Sequence, residues 1–220
     1  MESGAGAAVV KAGEGTFYYP VTHSEGAKGE ALTCTSRYNR NWESIPEEEM
    51  LMQMDGRGVF KFAVKKVPEV IGEVLEKNGL TKEDIDLYVL HQANRRIVES
   101  VAKRMEEPIT KFPMNLQEYG NTSSASIPIL LDELNREGKL KKGQRIVIAG
   151  FGAGLSWGAA VIDWTNKRAA PQKRGDGIDK IQVKGKRKGE QDNAGKDQRN
   201  GSRIIRSRCG NDHRGDFLQG

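Results

Sequence analysis

The chain has 220 residues, 30% of them charged, and a formal net charge of +5. The positive excess lies after Trp164, where 15 Lys and Arg stand against 7 Asp and Glu, so the first 164 residues are slightly acidic. No apolar run approaches the ~20 residues of a membrane span, no signal-peptide pattern opens the chain, and two cysteines, Cys34 and Cys209, exclude a disulfide framework. We therefore expect a cytoplasmic protein with no membrane association.

The first third of the chain divides into three predicted segments. Met1–Lys11 passes from a glycine-rich turn into Ala-Ala-Val-Val, which predicts a strand. Thr16–Glu49 shows no hydrophobic period and predicts a long loop. In Met50–Gly79 apolar residues recur at three- and four-residue intervals, which predicts a core-facing helix that ends at Asn78-Gly79.

From Ile85 onward, short apolar runs alternate with amphipathic segments. In order, we predict a strand at Ile85–Leu90, a helix at Ala93–Glu107, a strand at Phe112–Leu116, a helix at Ser123–Glu137, and strands at Arg145–Gly154 and Leu155–Trp164. The last two strands should pair antiparallel. The order is then βαβαβαββ, which predicts an α/β fold with a mixed sheet covered by helices.

Residues 165–220 lack a hydrophobic period and are rich in Gly, Lys, Arg, Gln, Asp and Asn. Such a segment cannot bury enough surface to offset the entropy of ordering it, so we expect a disordered basic tail beyond a single domain at residues 1–164. The tail lacks the interleaved aromatic residues that stack on bases and the amphipathic period of a membrane-surface helix. We therefore expect neither nucleic acid nor membrane as a partner.

Three features that could take part in catalysis follow predicted strands or precede predicted helices. His91 comes directly after Tyr-Val-Leu, Asn121 follows a glycine before a helix, and Phe151-Gly-Ala-Gly154 ends a strand. Taken alone, each has an ordinary explanation: a buried histidine bonded to a carbonyl, an N-capping asparagine and a tight turn. Taken together, they place N–H donors at the strand ends of one α/β unit, where active sites form and where such donors stabilise an oxyanion.

These residues stand in longer motifs that resemble a known family. The motifs are His91-Gln-Ala-Asn94 with Arg96, Gly120-Asn121-Thr-Ser-Ser-Ala-Ser126, Gly150-Phe-Gly-Ala-Gly-Leu-Ser-Trp157-Gly, and Met54-Asp-Gly56-Arg-Gly-Val-Phe60. They resemble the C-terminal half of beta-ketoacyl-ACP synthase III, the initiating condensing enzyme of bacterial fatty-acid synthesis. That family belongs to the thiolase-like superfamily, so the resemblance implies a thiolase-like half fold over about residues 1–164.

The resemblance also implies an acyltransferase reaction. The family transfers an acetyl group from acetyl-CoA to a cysteine, decarboxylates malonyl-ACP, and condenses the two into acetoacetyl-ACP. By resemblance, His91 and Asn121 are the catalytic donors that hold the malonyl thioester oxygen. The backbone N–H of Ala153 would complete the oxyanion hole for the acyl-cysteine.

The same resemblance implies a binding channel and a docking residue. Gly56, Phe60 and Asn94 would line the channel for the phosphopantetheine of CoA or ACP. Arg96 would meet the acidic acyl carrier protein, although an ordinary solvated arginine explains it equally well. Because the CoA thioester and the ACP phosphopantetheine are substrates, we expect no cofactor and no metal. The intact family implies a homodimer.

The nucleophile is where this sequence departs from the family, whose reactive cysteine lies in an N-terminal half that has no counterpart here. Cys34 lies in a polar loop with no helix N-terminus to activate it, so we do not expect it to substitute. We therefore expect the lone chain not to complete the condensation. Two alternatives stay open: a condensing enzyme with another acyl-CoA primer, and a truncated or split-gene fragment without activity. An upstream reading frame encoding the cysteine turn would favour a split gene.

Overall fold

A computed structural model describes residues 3–8, 15–34, 44, 46 and 51–165. The predicted disordered tail at residues 165–220 therefore lies outside the described residues, apart from its first residue. The predicted strand at Met1–Lys11 and the predicted loop at Thr16–Glu49 are described only in part.

The described residues form six strands and four α-helices. The strands are β1 (Val21–Ser24), β2 (Leu32–Thr33), β3 (Gln53–Met54), β4 (Leu87–Leu90), β5 (Arg145–Gly152) and β6 (Ser156–Asp163). The helices are α1 (Gly56–Lys77), α2 (Arg95–Met105), α3 (Leu116–Tyr119) and α4 (Ser126–Arg136). Short 3₁₀ turns lie at Gly26–Ala31, Lys82–Asp84, Ile109–Lys111 and Ser123–Ala125.

Four of the strands form one mixed sheet in the order β1-β6-β5-β4. Strand β4 is parallel to β5, with Leu90 opposite Ala149. The β5–β6 pair is antiparallel, as the sequence predicts, and so is the β1–β6 pair. Strands β2 and β3 form a separate two-stranded ladder. The predicted mixed sheet of an α/β fold is therefore confirmed.

Helices cover both faces of the β4–β5 pair. Tyr88 and Leu90 pack into a core with α1 and α2, whereas Val89 packs into a second core with α4. This alternation follows from the pleat, which points successive side chains to opposite faces of a sheet. Parallel strands buried on both faces read as continuous apolar runs, which is why the sequence identified this strand.

Helix α1 begins later than the sequence predicts. The predicted start is Met50, but the first helical residue is Gly56. The side chain of Asp55 accepts hydrogen bonds from the backbone N–H groups of Arg57 and Gly58, and such a cap marks a helix start.

The predicted strand at Phe112–Leu116 is wrong. A 3₁₀ turn precedes it, Leu116 opens α3, and the residues between are not paired with a strand. Pro113 has no N–H to give to a ladder. The N–H of Asn115 donates instead to Oε1 of the buried Gln92. The backbone N–H of Asn115 is therefore hydrogen-bonded to a side chain and not to a neighbouring strand.

Two other differences lie at the N-terminal end. Residues 3–8 of the predicted first strand are exposed and have no strand partner among the described residues. They lie instead against α4, where a Cβ on Gly6 would contact Pro128. Thr16–Glu49, predicted as a loop, contains β1 and β2. Strand β1 is a four-residue edge strand with mostly exposed side chains, so it carries no hydrophobic period.

The two core clusters predict which side chains, when shortened to alanine, should destabilise the fold. Ile71 on α1 is fully buried, whereas Ile109 is 45% exposed. We expect Ile71→Ala to lower the free energy of unfolding by about 2–5 kcal/mol because it leaves a cavity. The matched change Ile109→Ala should cost at most about 0.5 kcal/mol. Urea denaturation of both variants checks this, and equal losses would contradict the assigned core.

Candidate active site

His91 lies at the carboxyl end of β4, immediately beyond the last paired residue. Its backbone N–H donates to the carbonyl of Ala149 on β5 at 2.8 Å, so the ladder extends by one more bond. The imidazole lies edge-on to the Phe151 ring, with the ring centroids 5.4 Å apart. The parallel pairing therefore places the histidine beside the end of β5.

A cavity of about 360 Å³ opens in front of this histidine. Its walls come from the end of β4, the loop before α4, the first residues of α4 and strand β5. The lining residues are His91, Ser123, Ser124, Ser126, Ile127, Gly150 and Phe151. One imidazole, three serine side chains and an aromatic ring thus line this space, and most of its exposed lining is apolar.

The imidazole of His91 is held and kept neutral by its surroundings. A 2.7 Å hydrogen bond joins its Nδ1 to Oγ of Ser126. The same oxygen accepts a hydrogen bond from the backbone N–H of Gln92 at 3.2 Å. Burial lowers the pKa of His91 below its ordinary value, because desolvation disfavours the charged imidazolium. At neutral pH this histidine is therefore an uncharged hydrogen-bonding group.

Asn121 lies in the loop before α4 and does not line the His91 cavity, but Ser123 two residues later does. Oδ1 of Asn121 accepts from the backbone N–H of Ser123 at 3.0 Å. Ser123 has a left-handed backbone with φ of 55°, which is uncommon for residues other than glycine. The Nδ2 group carries the N–H donors of Asn121, and the bond to Oδ1 fixes the other end of the carboxamide.

Ala153 lies exposed in the turn between β5 and β6. Paired backbone hydrogen bonds of 2.7 and 3.1 Å between Glu25 and Leu155 hold this turn. Phe151, which lines the His91 cavity, precedes Ala153 by two residues. Of the three predicted catalytic positions, only His91 lines the cavity, and each of the other two lies two residues along the chain from a residue that does. Their convergence on one point stays a prediction.

The predicted binding residues lie around the start of α1 and the start of α2. The guanidinium of Arg96 lies 5.6 Å from the centroid of the Phe60 ring. Oδ1 of Asn94 accepts from the N–H of Arg96 at 2.8 Å and caps α2. Gly56 is the exposed first residue of α1, about one turn before Phe60. The structure thus joins Phe60, Asn94 and Arg96 by contacts, but none of the four lines the His91 cavity.

Sequence reasoning assigned no role to Ser126 and Phe151, although both lie in quoted motifs. The sequence carries one partial signal for Ser126: it precedes Leu130 by four residues in the predicted helix and so shares its face. The structure shows that this face is buried, with Ser126 2% exposed. A polar residue at a buried helix position needs a partner, and its partner is the histidine.

Cys34 lies exposed directly after β2 and does not line the His91 cavity. Within the described ranges, no three His, Cys, Asp or Glu side chains could together hold a metal ion. The described helices also include none long and apolar enough to span a bilayer.

Comparisons with known proteins agree on one family. The family model for the C-terminal region of 3-oxoacyl-[acyl-carrier-protein] synthase III matches residues 75–164. A beta-ketoacyl-[acyl-carrier-protein] synthase III of Clostridium acetobutylicum is 44% identical over 165 residues, which are 74% of this chain and 51% of that protein. The chain thus spans about half the length of the curated relatives it matches.

Solved structures give the same result for the fold. The 3-oxoacyl-[acyl-carrier-protein] synthase III of Aquifex aeolicus is 39% identical with a TM-score of 0.58, covering 66% of this chain and 43% of that one. The priming beta-ketosynthase of the R1128 polyketide pathway is 32% identical with a TM-score of 0.62, covering 68% and 45%. The described residues therefore have a thiolase-like fold, as the resemblance implies.

The lowered pKa of His91 predicts a pH dependence of stability. The unfolded chain binds a proton near pH 6.5, but the folded chain resists it, so protonation favours unfolding. The free energy of unfolding should therefore be highest above about pH 6.5 and should decline as the pH falls through that value.

Denaturation at a series of pH values between about 7.5 and 5.5 measures this dependence. His91→Gln should flatten the decline. His23→Gln is the matched control, since it removes an exposed histidine outside the His91 cavity, and it should leave the decline in place. A decline of equal slope in His91→Gln would show that another group causes it.

Proposed function

We propose that this chain, which is similar to the C-terminal half of beta-ketoacyl-[acyl-carrier-protein] synthase III enzymes, supplies the His/Asn half of a condensing active site. The proposed reaction starts fatty-acid synthesis by joining acetyl-CoA and malonyl-ACP into acetoacetyl-ACP with loss of carbon dioxide. The observation that carries this proposal is the position of His91, which lies at the end of β4, lines a cavity of about 360 Å³ and has its Nδ1 hydrogen-bonded to Ser126.

The chemistry demands hydrogen-bond donors that do not transfer a proton to carbon. When the malonyl thioester loses carbon dioxide, its electron pair moves onto the α-carbon and the thioester oxygen, and the oxygen becomes negatively charged. Preorganised N–H groups stabilise this charge. A neutral His91 can donate without being a strong acid, and the engaged Oδ1 of Asn121 leaves its Nδ2 to act as the second donor.

The acyl half of the reaction places a different demand on the turn after β5. A thioester-bound acetyl group develops negative charge on its oxygen when the enolate attacks it. The backbone N–H of Ala153 is proposed to stabilise that charge by donating a hydrogen bond to the oxygen. The acetylated cysteine itself is proposed to come from the half of the relatives that this chain does not match. Exposed Cys34 is outside the His91 cavity and has no part in the proposal.

The thioester substrates are proposed to enter past the starts of α1 and α2. Phe60 offers an apolar ring to the phosphopantetheine arm, and Gly56 and Asn94 flank it. The guanidinium of Arg96 is exposed beside that ring and is proposed to pair with the acidic surface of the carrier protein. No cofactor is required, because the reactive thioesters are carried by CoA and ACP. A homodimer, as the intact family implies, remains part of the proposal.

A second candidate keeps the chemistry but changes the primer. The similarity to a priming beta-ketosynthase of a polyketide pathway favours it. In this alternative, the same His91 and Asn121 decarboxylate the malonyl thioester, and an acyl-CoA other than acetyl-CoA supplies the acyl group. Competition between acetyl-CoA and longer or branched acyl-CoA primers, in the presence of the cysteine-bearing half, separates the two.

Malonyl-ACP decarboxylation by the full chain tests the proposed donors. We expect His91→Ala to lower the rate by about 10²–10³-fold, the usual loss when one oxyanion donor is removed. Asn121→Asp should have a loss of similar size, since an Asp oxygen can still accept from the N–H of Ser123 but cannot donate from Nδ2. Release of carbon dioxide from labelled malonyl-ACP is the measurement.

The matched control for the histidine is His23→Ala, because His23 pairs with Glu73 and does not line the His91 cavity. It should keep the rate of the unsubstituted chain. No decarboxylation by the unsubstituted chain, or full rates in both site variants, would contradict the proposed role.

Carrier-protein docking predicts a difference between two neighbouring arginines. Arg95 is engaged by Glu99 at 2.7 Å, whereas Arg96 stands over Phe60. We expect Arg96→Gln to raise the KM for malonyl-ACP roughly threefold, the effect of about 0.6 kcal/mol from one exposed ion pair, with kcat unchanged. Arg95→Gln should leave both unchanged. Steady-state kinetics at two salt concentrations checks this, and equal effects of the two changes would contradict docking through Arg96.

A further inference from the structure

The hydroxyl of Ser126 stands between the backbone of β4 and the imidazole of His91. Ser126 is the first residue of α4 and is 2% exposed. Its Oγ lies 2.7 Å from Nδ1 of His91 and 3.2 Å from the backbone nitrogen of Gln92. Within the described part of the chain, Oγ has no other hydrogen-bond partner, so these two contacts define what the hydroxyl does.

The direction of both hydrogen bonds follows from the chemistry of the three groups. The N–H of Gln92 can only donate, so it occupies one lone pair of Oγ. A hydroxyl carries one proton and two lone pairs. If Nδ1 of His91 carried a proton, it would donate to the second lone pair, and the buried Ser126 proton would have no acceptor among the described residues. An unpaired buried donor is unfavourable, so the hydroxyl donates to an unprotonated Nδ1.

We propose that Ser126 is a positioning residue that donates to Nδ1 of His91 and so keeps the imidazole proton on Nε2. This inference rests on the proposed function of His91 as a donor to the thioester oxygen. With Nδ1 occupied, Nε2 is the nitrogen left for a substrate. In the opposite tautomer, Nε2 would present a lone pair to the developing negative charge and would repel it.

A buried polar network holds the serine and the histidine in place. Nε2 of Gln92 donates to the carbonyl of Leu90 at 2.8 Å, and Oε1 of Gln92 accepts from the N–H of Asn115. Nδ2 of Asn115 donates in turn to Glu133 on α4 at 2.8 Å. The end of β4 and helix α4 are therefore tied together at two places. This arrangement leaves Ser126 little freedom to point elsewhere.

The tautomer of His91 can be read directly, without an activity assay. Nitrogen NMR of the full chain labelled in its histidine rings distinguishes a protonated ring nitrogen from an unprotonated one. Loss of one set of signals in His91→Gln assigns them. We expect the unsubstituted chain at neutral pH to show unprotonated Nδ1 and protonated Nε2. In Ser126→Ala, the signals should shift toward a mixture of the two tautomers.

Two further variants separate positioning from a general structural effect. Ser126→Thr keeps the hydroxyl and should keep the Nε2–H tautomer. Ser124→Ala removes a hydroxyl from the same cavity that does not bond to His91, and it too should keep the tautomer. A protonated Nδ1 in the unsubstituted chain would overturn the proposal, whether or not the alanine variant folds. An unchanged tautomer in folded Ser126→Ala would also overturn it.

Kinetics gives a second readout that separates this inference from the proposed function. In metal sites, groups that hold a histidine in one tautomer are worth roughly 10–100-fold. We expect a loss of that order in the kcat of malonyl-ACP decarboxylation in Ser126→Ala, with KM unchanged and recovery in Ser126→Thr. If the tautomers behave as expected but the unsubstituted chain decarboxylates nothing, the proposed function fails and the positioning role stands. A kcat that Ser126→Ala leaves unchanged would contradict the positioning role.

Discussion

The parallel pairing of β4 with β5 is the constraint on which the candidate site depends. Leu90 lies opposite Ala149, and the next bond in the same ladder places His91 beside Phe151. Val89 faces α4 while Leu90 faces α1 and α2, so His91, two residues after Val89, returns to the α4 side. A one-residue slip would turn the side chain of His91 to the α1 and α2 side of the sheet, away from α4. The register of this strand therefore decides which helix the histidine meets.

The second constraint is polar and lies where β4 meets α4. Gln92, Asn115 and Ser126 are all buried, and each has its hydrogen-bond partners. Buried polar groups are unfavourable when unpaired, but a satisfied network specifies a single arrangement. Here that arrangement aligns the start of α4 with the histidine. The loop that carries Asn121 leads into the same helix.

The elements that the sequence predicted are those whose buried faces are marked by a pattern of apolar residues. Strand β4 is marked by a continuous apolar run, and α2 and α4 are marked by apolar residues at helical spacing. Strand β1 has no such pattern, since it is short and mostly exposed at the sheet edge. The segment Phe112–Leu116 gave a false signal: its apolar residues are not paired with a strand, and the N–H of Asn115 bonds to a glutamine side chain.

The residues of the candidate site also fall into those that the sequence identified and those that it did not. His91 could be identified because it directly follows a buried strand, and the resemblance named Asn121 and Ala153 beside it. Ser126 escaped notice because its role depends on which face of α4 meets β4, and that is a tertiary property. The orientation of Asn121 likewise depends on the left-handed backbone of Ser123. Local propensity does not encode such a loop conformation.

The central claim is that the imidazole of His91 and the carboxamide of Asn121 meet at one oxygen atom. The most direct measurement is a crystal structure of the full chain with a malonyl thioester analogue of pantetheine that cannot lose carbon dioxide. The thioester oxygen should lie about 2.7–3.1 Å from both Nε2 of His91 and Nδ2 of Asn121. An analogue bound elsewhere, or an oxygen that neither side chain reaches, would contradict it.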